Sequence, residues 1–325
     1  MYVMNSISPK KKIGVVRGGS GQEYNFSYDS GAHVLMSLEK THSTKDILID
    51  KEGNWLVGGK YQKPEIALWD VDLVFNALHG TYGEGGQMQD LFEAHSLPYT
   101  GSDSFSSASS LYKQTAKKFF KAYGLRLPFS KYYSRIDANI TNLVMEIFNT
   151  LPLPLIVKPA NLGFSIGVRM VSSFQELESA VTHAFSFGDA IIVEEYINGR
   201  VLTCGVIEGY REQDLYVLAP VEIKLPTNTI FLEYEKRGLM EYIVPAYIKM
   251  EEKIEIQEMA KLAHRILGLR QYSASDFILS PTRGIFLLET NSLPYLGSHT
   301  PFVASLEALG SSRDEFVQHI ISNVK

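Results

Sequence analysis

A lysine at the end of an apolar strand is the strongest chemical signal in this sequence. Lys158 closes the apolar segment 155–157 and is followed by a loop, 159–167, that contains Gly163 and Gly167. A buried ammonium group costs free energy unless an anion lies beside it, and a phosphate is a natural partner. The N–H groups of the loop can surround the same phosphate. The alternative is a lysine whose stem packs on the strand while its ammonium group reaches water.

Two carboxylates and an amide near the C-terminus form a candidate metal site. Asp276 and Glu289 fall on the predicted strands 275–279 and 284–289, which form a hairpin. Counted outward from the turn, the two carboxylates lie nearly opposite each other, and Asn291 follows. Such oxygen ligands suit Mg²⁺, which fills its remaining positions with water and phosphate oxygens. The alternative is an ordinary hairpin whose ends carry polar side chains.

Three further residues give weaker signals. Lys113 lies on a lysine-rich helix, where most lysines are simply solvated. Glu194 and Glu195 belong to the predicted strand 191–197, and they either form an exposed strand face or bind the amino group of an adenine. Phosphate-seeking lysines together with a magnesium-type carboxylate pair are typical of a nucleoside-triphosphate site.

The elements that must position these residues alternate between strand and helix over the first hundred residues, as in a doubly wound parallel sheet. The predicted elements are strands at 12–17 and 71–78, helices at 27–40 and 87–95, a turn at 18–21 and a glycine-rich loop at 81–86. Glycine-rich turns at the carboxyl ends of parallel strands are where such sheets bind ligands. The small, polar segment 102–110 is interpreted as the first domain boundary.

The rest of the chain has strand and helix signals without a fixed repeat. Helices are predicted at 113–123, from 174 onward after a capping-box pattern at 173–176, and at 251–267. Strands are predicted at 155–158, up to 171, and at 191–197, 201–207, 215–223 and 242–244. Gly124 and Gly268 close two of the helices, as glycine often does after a helix C-terminus.

Composition narrows the class of protein. The chain has 325 residues with 31 Lys+Arg against 36 Asp+Glu, so two or three packed domains are expected and a nucleic-acid partner is disfavoured. Residues 1–9 lack the apolar core of a signal peptide, and no apolar run approaches the length of a membrane span. We therefore expect a cytoplasmic protein with no membrane partner. Cys204 is the only cysteine, which excludes an intramolecular disulfide and a thiolate metal cluster.

Five segments in one order make this sequence similar to the D-alanine:D-alanine ligases of the ATP-grasp superfamily. They are GGSGQE at 18–23, LHGTYGEGG at 78–86, LPYTGS at 97–102, IVKP at 156–159 and LLETNSLP at 287–294. The resemblance extends from about residue 13 to the C-terminus. It implies an α/β fold with a doubly wound parallel-sheet domain at 1–101. A two-domain ATP-grasp fold, α+β in character, would follow at 102–197 and 198–325.

The resemblance also implies an activity and a set of site residues. The carboxylate of one D-alanine would take the γ-phosphate of ATP, and the amine of a second D-alanine would attack the acyl phosphate to give a dipeptide for peptidoglycan synthesis. Lys113 and Lys158 would bind the phosphates, Glu194, Glu195, the backbone of Ile197 and Phe231 the adenine, and Asp276, Glu289 and Asn291 the Mg²⁺ or Mn²⁺.

The same resemblance places four residues around the amino-acid substrate. Glu23 would meet the ammonium group of the first D-alanine, and His79 would lie near the transferred group. Arg237 would contact the phosphate in place of the family's loop lysine. The family has two serines in the loop after its lysine-proline, and this sequence retains one of them, Ser165. Homodimers are usual in the family.

Four positions depart from the family pattern on the amino-acid side of the site. Phe164 replaces the first serine of the pair, Gly238 a tyrosine, Ala274 an arginine that would steady the oxyanion, and Tyr295 a glycine whose N–H would do the same. Arg270, four residues upstream of Ala274, could reach in from the helix end and compensate. Two alternatives therefore stay open: a ligase for another amino acid or carboxylate, or a nucleotide-binding protein that has lost its chemistry.

Overall fold

The computed structural model describes residues 11–135, 139–225 and 240–324. The described strands are β1 (Lys12–Gly18), β2 (Ser43–Ile49), β3 (Trp55–Val57), β4 (Lys60–Gln62), β5 (Leu73–Asn76), β6 (Ser130–Ser134), β7 (Leu155–Pro159), β8 (Arg169–Val171), β9 (Ala190–Glu195), β10 (Arg200–Glu208), β11 (Leu215–Val217), β12 (Val221–Lys224), β13 (Glu241–Ile243), β14 (Tyr272–Ser280) and β15 (Gly284–Asn291).

The described α-helices lie between and after these strands. They are α1 (Tyr24–Leu38), α2 (Pro64–Ala67), α3 (Gly80–Glu84), α4 (Gln87–Ala94), α5 (Ser104–Leu111), α6 (Lys113–Ala122), α7 (Ile140–Thr150), α8 (Phe174–Phe185), α9 (Met250–Ile266), α10 (Pro301–Ala308) and α11 (Arg313–Ser322). None of these described helices is long and apolar enough to cross a membrane.

The first sheet has the strand order β4-β3-β2-β1-β5, in which β1 pairs in parallel with β2 and β5. The interior of β1 is buried, as expected for a parallel strand covered by helices, and α1 packs against it. Gly18 ends β1 at φ +88°, and a Cβ there would lie 2.1 Å from the carbonyl oxygen of Ile49, so only glycine fits. The carboxyl ends of β1 and β5 lie side by side and lead into the segments that carry Glu23 and His79. The predicted α/β class with a parallel N-terminal sheet is confirmed.

The second and third sheets are antiparallel throughout. The second has the order β6-β9-β7-β8, and α7 and α8 pack on it. The third has the order β13-β12-β10-β14-β15, with β11 also paired to β10, and α9 packs on it. Lys158 lies on β7, whereas Asp276 and Glu289 lie on β14 and β15. Two different sheets therefore supply the lysine and the carboxylates that the sequence singles out.

The glycine-rich loop expected at 81–86 is wrong, because most of it belongs to helix α3. The N–H of Gly80 at the start of α3 is bonded to the Glu84 carboxylate at 3.0 Å. A side chain that satisfies a free N–H at a helix start stabilises a turn that glycines alone would leave open. The segment 102–110 contains helix α5, which the Asp103 side chain caps.

The single strand expected at 215–223 is also wrong, since the structure has β11 and β12 there. Pro220, which lies between them, has no N–H to donate to a ladder. The capping box expected at 173–176 is incomplete, because Ser173 precedes α8 but its side chain makes no capping hydrogen bond. The sequence patterns predict none of β2 to β4, β6, α2, α7, α10 and α11.

Candidate active site

A cavity of about 480 Å³ lies between the second and third sheets, with Phe26 of α1 and Glu84 of α3 also in its wall. Most predicted site residues line it: Lys113, Lys158, Ser165, Glu194, Glu195, Ile197, Asp276, Glu289 and Asn291. Glu23 and His79 are buried beside it. Phe231, Arg237 and Gly238 lie outside the described residues.

One end of the cavity, the charged end, is lined by Lys113, Lys158, Glu194, Asp276, Glu289 and Asn291, with Lys117 buried behind Glu194. Its centre is Glu194, whose Oε2 lies 2.8 Å from Lys158 Nζ and whose Oε1 lies 2.9 Å from Lys117 Nζ. All three side chains are buried, so the exposed strand face considered for Glu194 is wrong. Burial disfavours the ionised carboxyl, but the two ammonium groups outweigh it and lower the pKa of Glu194 to about 2. Lys158 is therefore held in place by protein groups alone.

Lys117 is a site residue that sequence reasoning missed. It lies four residues after Lys113 on α6, a spacing that puts both side chains on one face of the helix, whereas Lys118 and Lys121 are exposed. Burial lowers the pKa of Lys117, and the charge of Glu194 opposes that shift. The i, i+4 spacing from Lys113 is the one sequence feature that relates the two lysines, but it does not separate Lys117 from Lys121, which is exposed four residues further on.

Lys113 connects the loop after β7 to the hairpin of β14 and β15. Its Nζ lies 3.1 Å from Glu289 Oε2 and donates a hydrogen bond to the carbonyl oxygen of Leu162 at 2.7 Å. Leu162 belongs to the loop 159–167, which follows Lys158. One buried lysine thus contacts both sides of the charged end.

The candidate metal ligands converge as the hairpin count predicted. Asp276 pairs directly with Glu289 across β14 and β15, and Asn291 Nδ2 lies 3.4 Å from Asp276 Oδ2. Burial would raise the pKa of Glu289, but the charges of Lys113 and Lys158 lower it, so the carboxylate is ionised. Two carboxylates and an amide are hard oxygen ligands that fit Mg²⁺ or Mn²⁺ with water and phosphate in the other positions.

Glu195, at the end of β9 and predicted to face adenine, already contacts other protein groups. Glu195 Oε1 accepts the N–H of Phe129 at 2.9 Å, and Oε2 lies 2.7 Å from Arg283 Nη1. The hydrogen bond from Arg283 is the main cause that lowers the pKa of Glu195. Ile197 is buried and lines the cavity two residues further on. The backbone at 195–197 is what this strand end can offer to an adenine.

The other end of the cavity, the aromatic end, consists of Phe26, His79, Phe164, Ala274 and Tyr295 beside Glu23. The rings of Phe26 and Phe164 stack face to face with centroids 3.9 Å apart. Tyr295 meets both rings edge-on, with centroids 5.2 and 5.9 Å away, and His79 lies edge-on to Phe164 at 5.4 Å. The stack joins α1 to the loop after β7, although Phe164 adopts φ +56°, in the left-handed region.

Glu23 is a buried carboxylate with one free oxygen. Its Oε1 accepts the N–H of Gly163 at 3.3 Å, and its Oε2 has no hydrogen-bond partner among the described residues. Burial raises its pKa, and an ammonium group would satisfy the free oxygen. His79 Nε2 lies 2.8 Å from Ser30 Oγ, and burial lowers the pKa of His79 to about 4, so its ring is neutral near pH 7.

Ala274 lines the cavity, and Arg270 does not compensate for it, so that expectation is wrong. Arg270 Nη2 lies 2.7 Å from Asp103 Oδ2, and its side chain is more than half exposed. The carboxylate that caps α5 draws this guanidinium away from the cavity. In the described ranges, no arginine lines the cavity.

Comparison with known proteins gives a consistent match. The models for the D-ala D-ala ligase C-terminus and N-terminus match residues 119–322 and 59–102, respectively. The D-alanine--D-alanine ligase of Cupriavidus pinatubonensis is 32% identical over 329 residues, which cover 99% of this chain and 95% of that protein.

Solved structures with the same fold cover nearly the whole chain. The VanG D-Ala:D-Ser ligase from Enterococcus faecalis has a TM-score of 0.81 and 30% identity, with 96% of this chain and 99% of that chain covered. The D-alanyl-alanine synthetase A from Vibrio cholerae has a TM-score of 0.84 over 98% of this chain and 99% of that chain. At 23% identity, this second likeness concerns the fold alone.

Proposed function

We propose that this chain, which belongs to the D-alanine:D-alanine ligase family, is an ATP-dependent ligase that joins two D-alanines. The carboxylate of the first D-alanine takes the γ-phosphate of ATP, which gives ADP and an acyl phosphate. The amine of the second D-alanine then displaces phosphate as a C–N bond forms. The dipeptide is a precursor for peptidoglycan synthesis.

The charged end is the observation that carries this proposal. Three lysines and two carboxylates from two sheets and α6 meet there in short ion pairs, with Glu194 between Lys117 and Lys158 and Glu289 beside Lys113. Transfer of a phosphoryl group is catalysed mainly by positioned positive charge. Groups that are already fixed by their counterions need little rearrangement when a triphosphate binds.

The proposed roles at this end follow from charge and reach. Lys113 and Lys158 bind the phosphates of ATP, and Lys117 positions Lys158 through Glu194. Asp276 and Glu289, with Asn291, would hold the Mg²⁺ or Mn²⁺. The metal ion, when bound, neutralises charge on the phosphate oxygens.

The aromatic end is proposed to hold the first D-alanine. Its ammonium group pairs with the free Oε2 of Glu23, which turns the substrate carboxylate toward the phosphate. His79, neutral near pH 7, lies close by without adding charge. Ser165 lines the cavity on the loop after Lys158. The roles predicted for Glu194, Glu195, Ile197 and Phe231 on adenine, and for Arg237 on the phosphate, stay predictions.

We also propose three domains, at 1–101, 102–197 and 198–325. In support, the strands of the first sheet end at Asn76, those of the second lie within 130–195, and those of the third lie within 200–291. A cytoplasmic location is proposed because both substrates are metabolites of that compartment and the one cysteine is buried and free. A homodimer is proposed from the resemblance, and light scattering would measure it.

Phosphate release and product mass test the ligase function. The protein supplied with Mg-ATP should release phosphate only when D-alanine is added, and the product should have the mass of D-alanyl-D-alanine. Calorimetry with Mg-ATP alone should show binding tighter than millimolar. Nucleotide binding without any response to D-alanine would show that the charged end is assigned correctly and the ligase function is not.

A further inference from the structure

Glu84 carries a buried carboxyl group that contacts two separate parts of the chain. Its Oε2 accepts the N–H of Gly80 at 3.0 Å, within α3. Its Oε1 accepts the Ser292 hydroxyl at 3.0 Å and the N–H of Leu293 at 3.2 Å, in the segment after β15. The carboxyl group and its three donors are all buried, so a donor that loses this acceptor costs free energy.

On the first side, Glu84 fixes the backbone next to the residues predicted to meet the first D-alanine. Gly80 directly follows His79, and a Cβ at Gly80 would lie 2.2 Å from Glu23 Cδ, so the Gly80 backbone lies against the Glu23 carboxyl group. The Ser27 hydroxyl accepts the N–H of His79 at 2.8 Å and donates to the carbonyl oxygen of Glu23 at 3.3 Å. A displacement of Gly80 would therefore move both His79 and Glu23.

On the second side, Glu84 fixes the end of the hairpin that carries the candidate metal ligands. Ser292 directly follows Asn291, the last residue of β15, and Glu289 lies two residues earlier on the same strand. Ser292 Oγ also lies 3.0 Å from Ser107 Oγ of α5, a second contact that orients the hydroxyl toward Glu84. The hairpin end is thereby bonded to α3 directly beside these ligands.

Two other hydrogen bonds connect the segment after β15 to α1. The N–H of Leu296 bonds Ser30 Oγ at 3.1 Å, and the Tyr295 hydroxyl bonds Asp29 Oδ2 at 2.5 Å. Both act at least four residues beyond the end of β15, whereas the Glu84 bonds act on the first two residues. Without the Glu84 bonds, the hairpin end can shift while the later part of the segment stays attached to α1.

We propose that Glu84 is a positioning residue, which sets the distance between the groups that hold the first D-alanine and those that hold the metal ion and the phosphates. The inference rests on the proposed ligase function and adds a residue that acts through its neighbours. The substrate carboxylate must meet the γ-phosphate closely, and a misplacement of about 1 Å can cost about a hundredfold in rate. Binding of Mg-ATP alone uses the charged end, whose ion pairs do not involve Glu84.

Glu84→Gln tests this role, because an amide has the shape of the carboxyl group but only one acceptor oxygen. Its NH₂ group faces either Gly80 or Leu293, and the N–H that it meets loses its acceptor. The assays are run at about pH 8.5, because burial raises the pKa of Glu84 to about 7 and the wild-type group is then a carboxylate. Steady-state kinetics give kcat for D-alanyl-D-alanine formation, and calorimetry gives the Kd of Mg-ATP without D-alanine.

Gln271→Met is the matched control, since Gln271 also joins distant parts of the chain through two buried hydrogen bonds. Its Oε1 accepts the N–H of Gly101 at 2.7 Å, and its Nε2 donates to the carbonyl oxygen of Ile320 at 2.9 Å. Neither of these two partners lines the cavity. Gln271→Met should lose stability in urea denaturation and keep kcat near the wild-type value, which separates the loss of a buried connection from the loss of positioning.

We expect kcat to fall by about thirtyfold in Glu84→Gln, while the Kd of Mg-ATP stays within about twofold of wild type. A kcat that stays within about threefold of wild type would overturn the proposal. So would a Kd of Mg-ATP that rises as much as kcat falls, or an equal loss of kcat in Gln271→Met, because either result would mean a general loosening of the fold.

Ser292→Ala keeps the test decisive if Glu84→Gln does not fold. It removes one of the three donors to Glu84 and keeps both backbone N–H groups, so kcat should fall by about fivefold at an unchanged Kd of Mg-ATP. An unchanged kcat in Ser292→Ala would then overturn the proposal. The ligase function survives each of these results if the wild type forms D-alanyl-D-alanine, whereas a wild type that forms none overturns both proposals.

Discussion

The two ends of one cavity are built in opposite ways. At the charged end, Lys113, Lys117 and Lys158 are neutralised by carboxylates about 3 Å away, so the site is electrostatically complete before a ligand binds. At the aromatic end, Glu23 is bonded to Gly163 beside the stacked rings, and its Oε2 has no hydrogen-bond partner among the described residues. Charge fixes what binds at the first end, whereas shape and a single carboxylate do so at the second.

Two buried carboxyl groups of the cavity wall, Glu194 at the charged end and Glu84 of α3, should respond oppositely to pH. The charges of two lysines lower the pKa of Glu194 to about 2, so its contribution to stability is present above about pH 4.5 and is lost as the pH falls toward 2. Glu84 lines the cavity near Tyr295, and burial raises its pKa to about 7. Folding favours the protonated form of Glu84, so the stability that this carboxyl group contributes is lost as the pH rises toward 7.

The largest effect is expected at the charged end, from Lys158→Met. The variant removes a lysine proposed to bind phosphate and leaves Glu194 with Lys117 as its only close lysine among the described residues. We expect kcat/KM for ATP to fall by about a thousandfold or more. Lys121→Met, at an exposed lysine of α6, is the matched control and should stay near wild type in steady-state kinetics. Equal activity in both variants would break the distinction between the two ends.

Glu289→Gln should have the next largest effect. The substitution keeps an amide oxygen near Asp276 but removes one of two carboxylates, so the metal ion is held weakly. We expect turnover to fall by roughly a hundredfold and the Mg²⁺ concentration for half-maximal activity to rise, as measured by a Mg²⁺ titration. Glu258→Gln, at an exposed residue of α9, is the control. An unaltered Mg²⁺ dependence in Glu289→Gln would show that the hairpin does not hold the metal ion.

Most of the charged end could be predicted from the sequence, because strand registers and phosphate chemistry constrain it. The pairing of Asp276 with Glu289 was predicted by counting along a hairpin. Lys158 was predicted because a lysine at the end of an apolar strand needs a partner for its charge. Lys117 was missed because a lysine on a lysine-rich helix gives no sign of which face is buried until the helix is packed.

The resemblance placed Phe164, Ala274 and Tyr295 on the amino-acid side of the site, but the ring stack could not be predicted, because it is assembled from parts that are far apart in sequence. Phe26 comes from α1, Phe164 from the loop after β7, and Tyr295 from the segment after β15. No local pattern indicates that these three rings will meet. The wrong expectation for Arg270 has the same cause, since its partner Asp103 lies far upstream in the chain.

Glu84→Gln tests the comparison through the pH dependence of the free energy of unfolding. The buried carboxyl accepts hydrogen bonds from the N–H groups of Gly80 and Leu293 and from the Ser292 hydroxyl. Its raised pKa means that Glu84 should lower the free energy of unfolding by up to about 3 kcal/mol between about pH 4.5 and 7, whereas buried His79, whose pKa is lowered to about 4, should raise it over part of the same range. Urea denaturation of the wild type and of Glu84→Gln at several pH values isolates the contribution of Glu84, because the wild type should lose more stability, or gain less, than the variant as the pH rises.

Glu23 and His79 act equally in both proteins, because burial raises the pKa of Glu23 and lowers that of His79 in each. The same pH dependence of stability in Glu84→Gln as in the wild type would mean that Glu84 is ionised in the folded protein.

The smallest effect is expected from Phe164→Ser, which opens the stack between α1 and the loop after β7. The stacked rings of Phe26 and Phe164 are worth about 1 kcal/mol beyond the area they bury, and stability should fall accordingly. The ring also stands next to Gly163, whose N–H bonds Glu23. Removing this ring enlarges the cavity next to Gly163 and Glu23, so the KM for D-alanine should fall about fivefold.

A second aromatic pair provides the control for this last prediction. Phe148 and Phe174 meet edge-on at 4.9 Å on α7 and α8, partly exposed and remote from the cavity lining. Phe174→Ser should lose a similar free energy of unfolding and leave the KM for D-alanine unchanged, as judged by urea denaturation and steady-state kinetics. If both variants lose stability and neither changes KM, the rings at the aromatic end only stabilise the fold. A rise in KM in Phe164→Ser alone would instead mean that the stack contributes to binding the substrate.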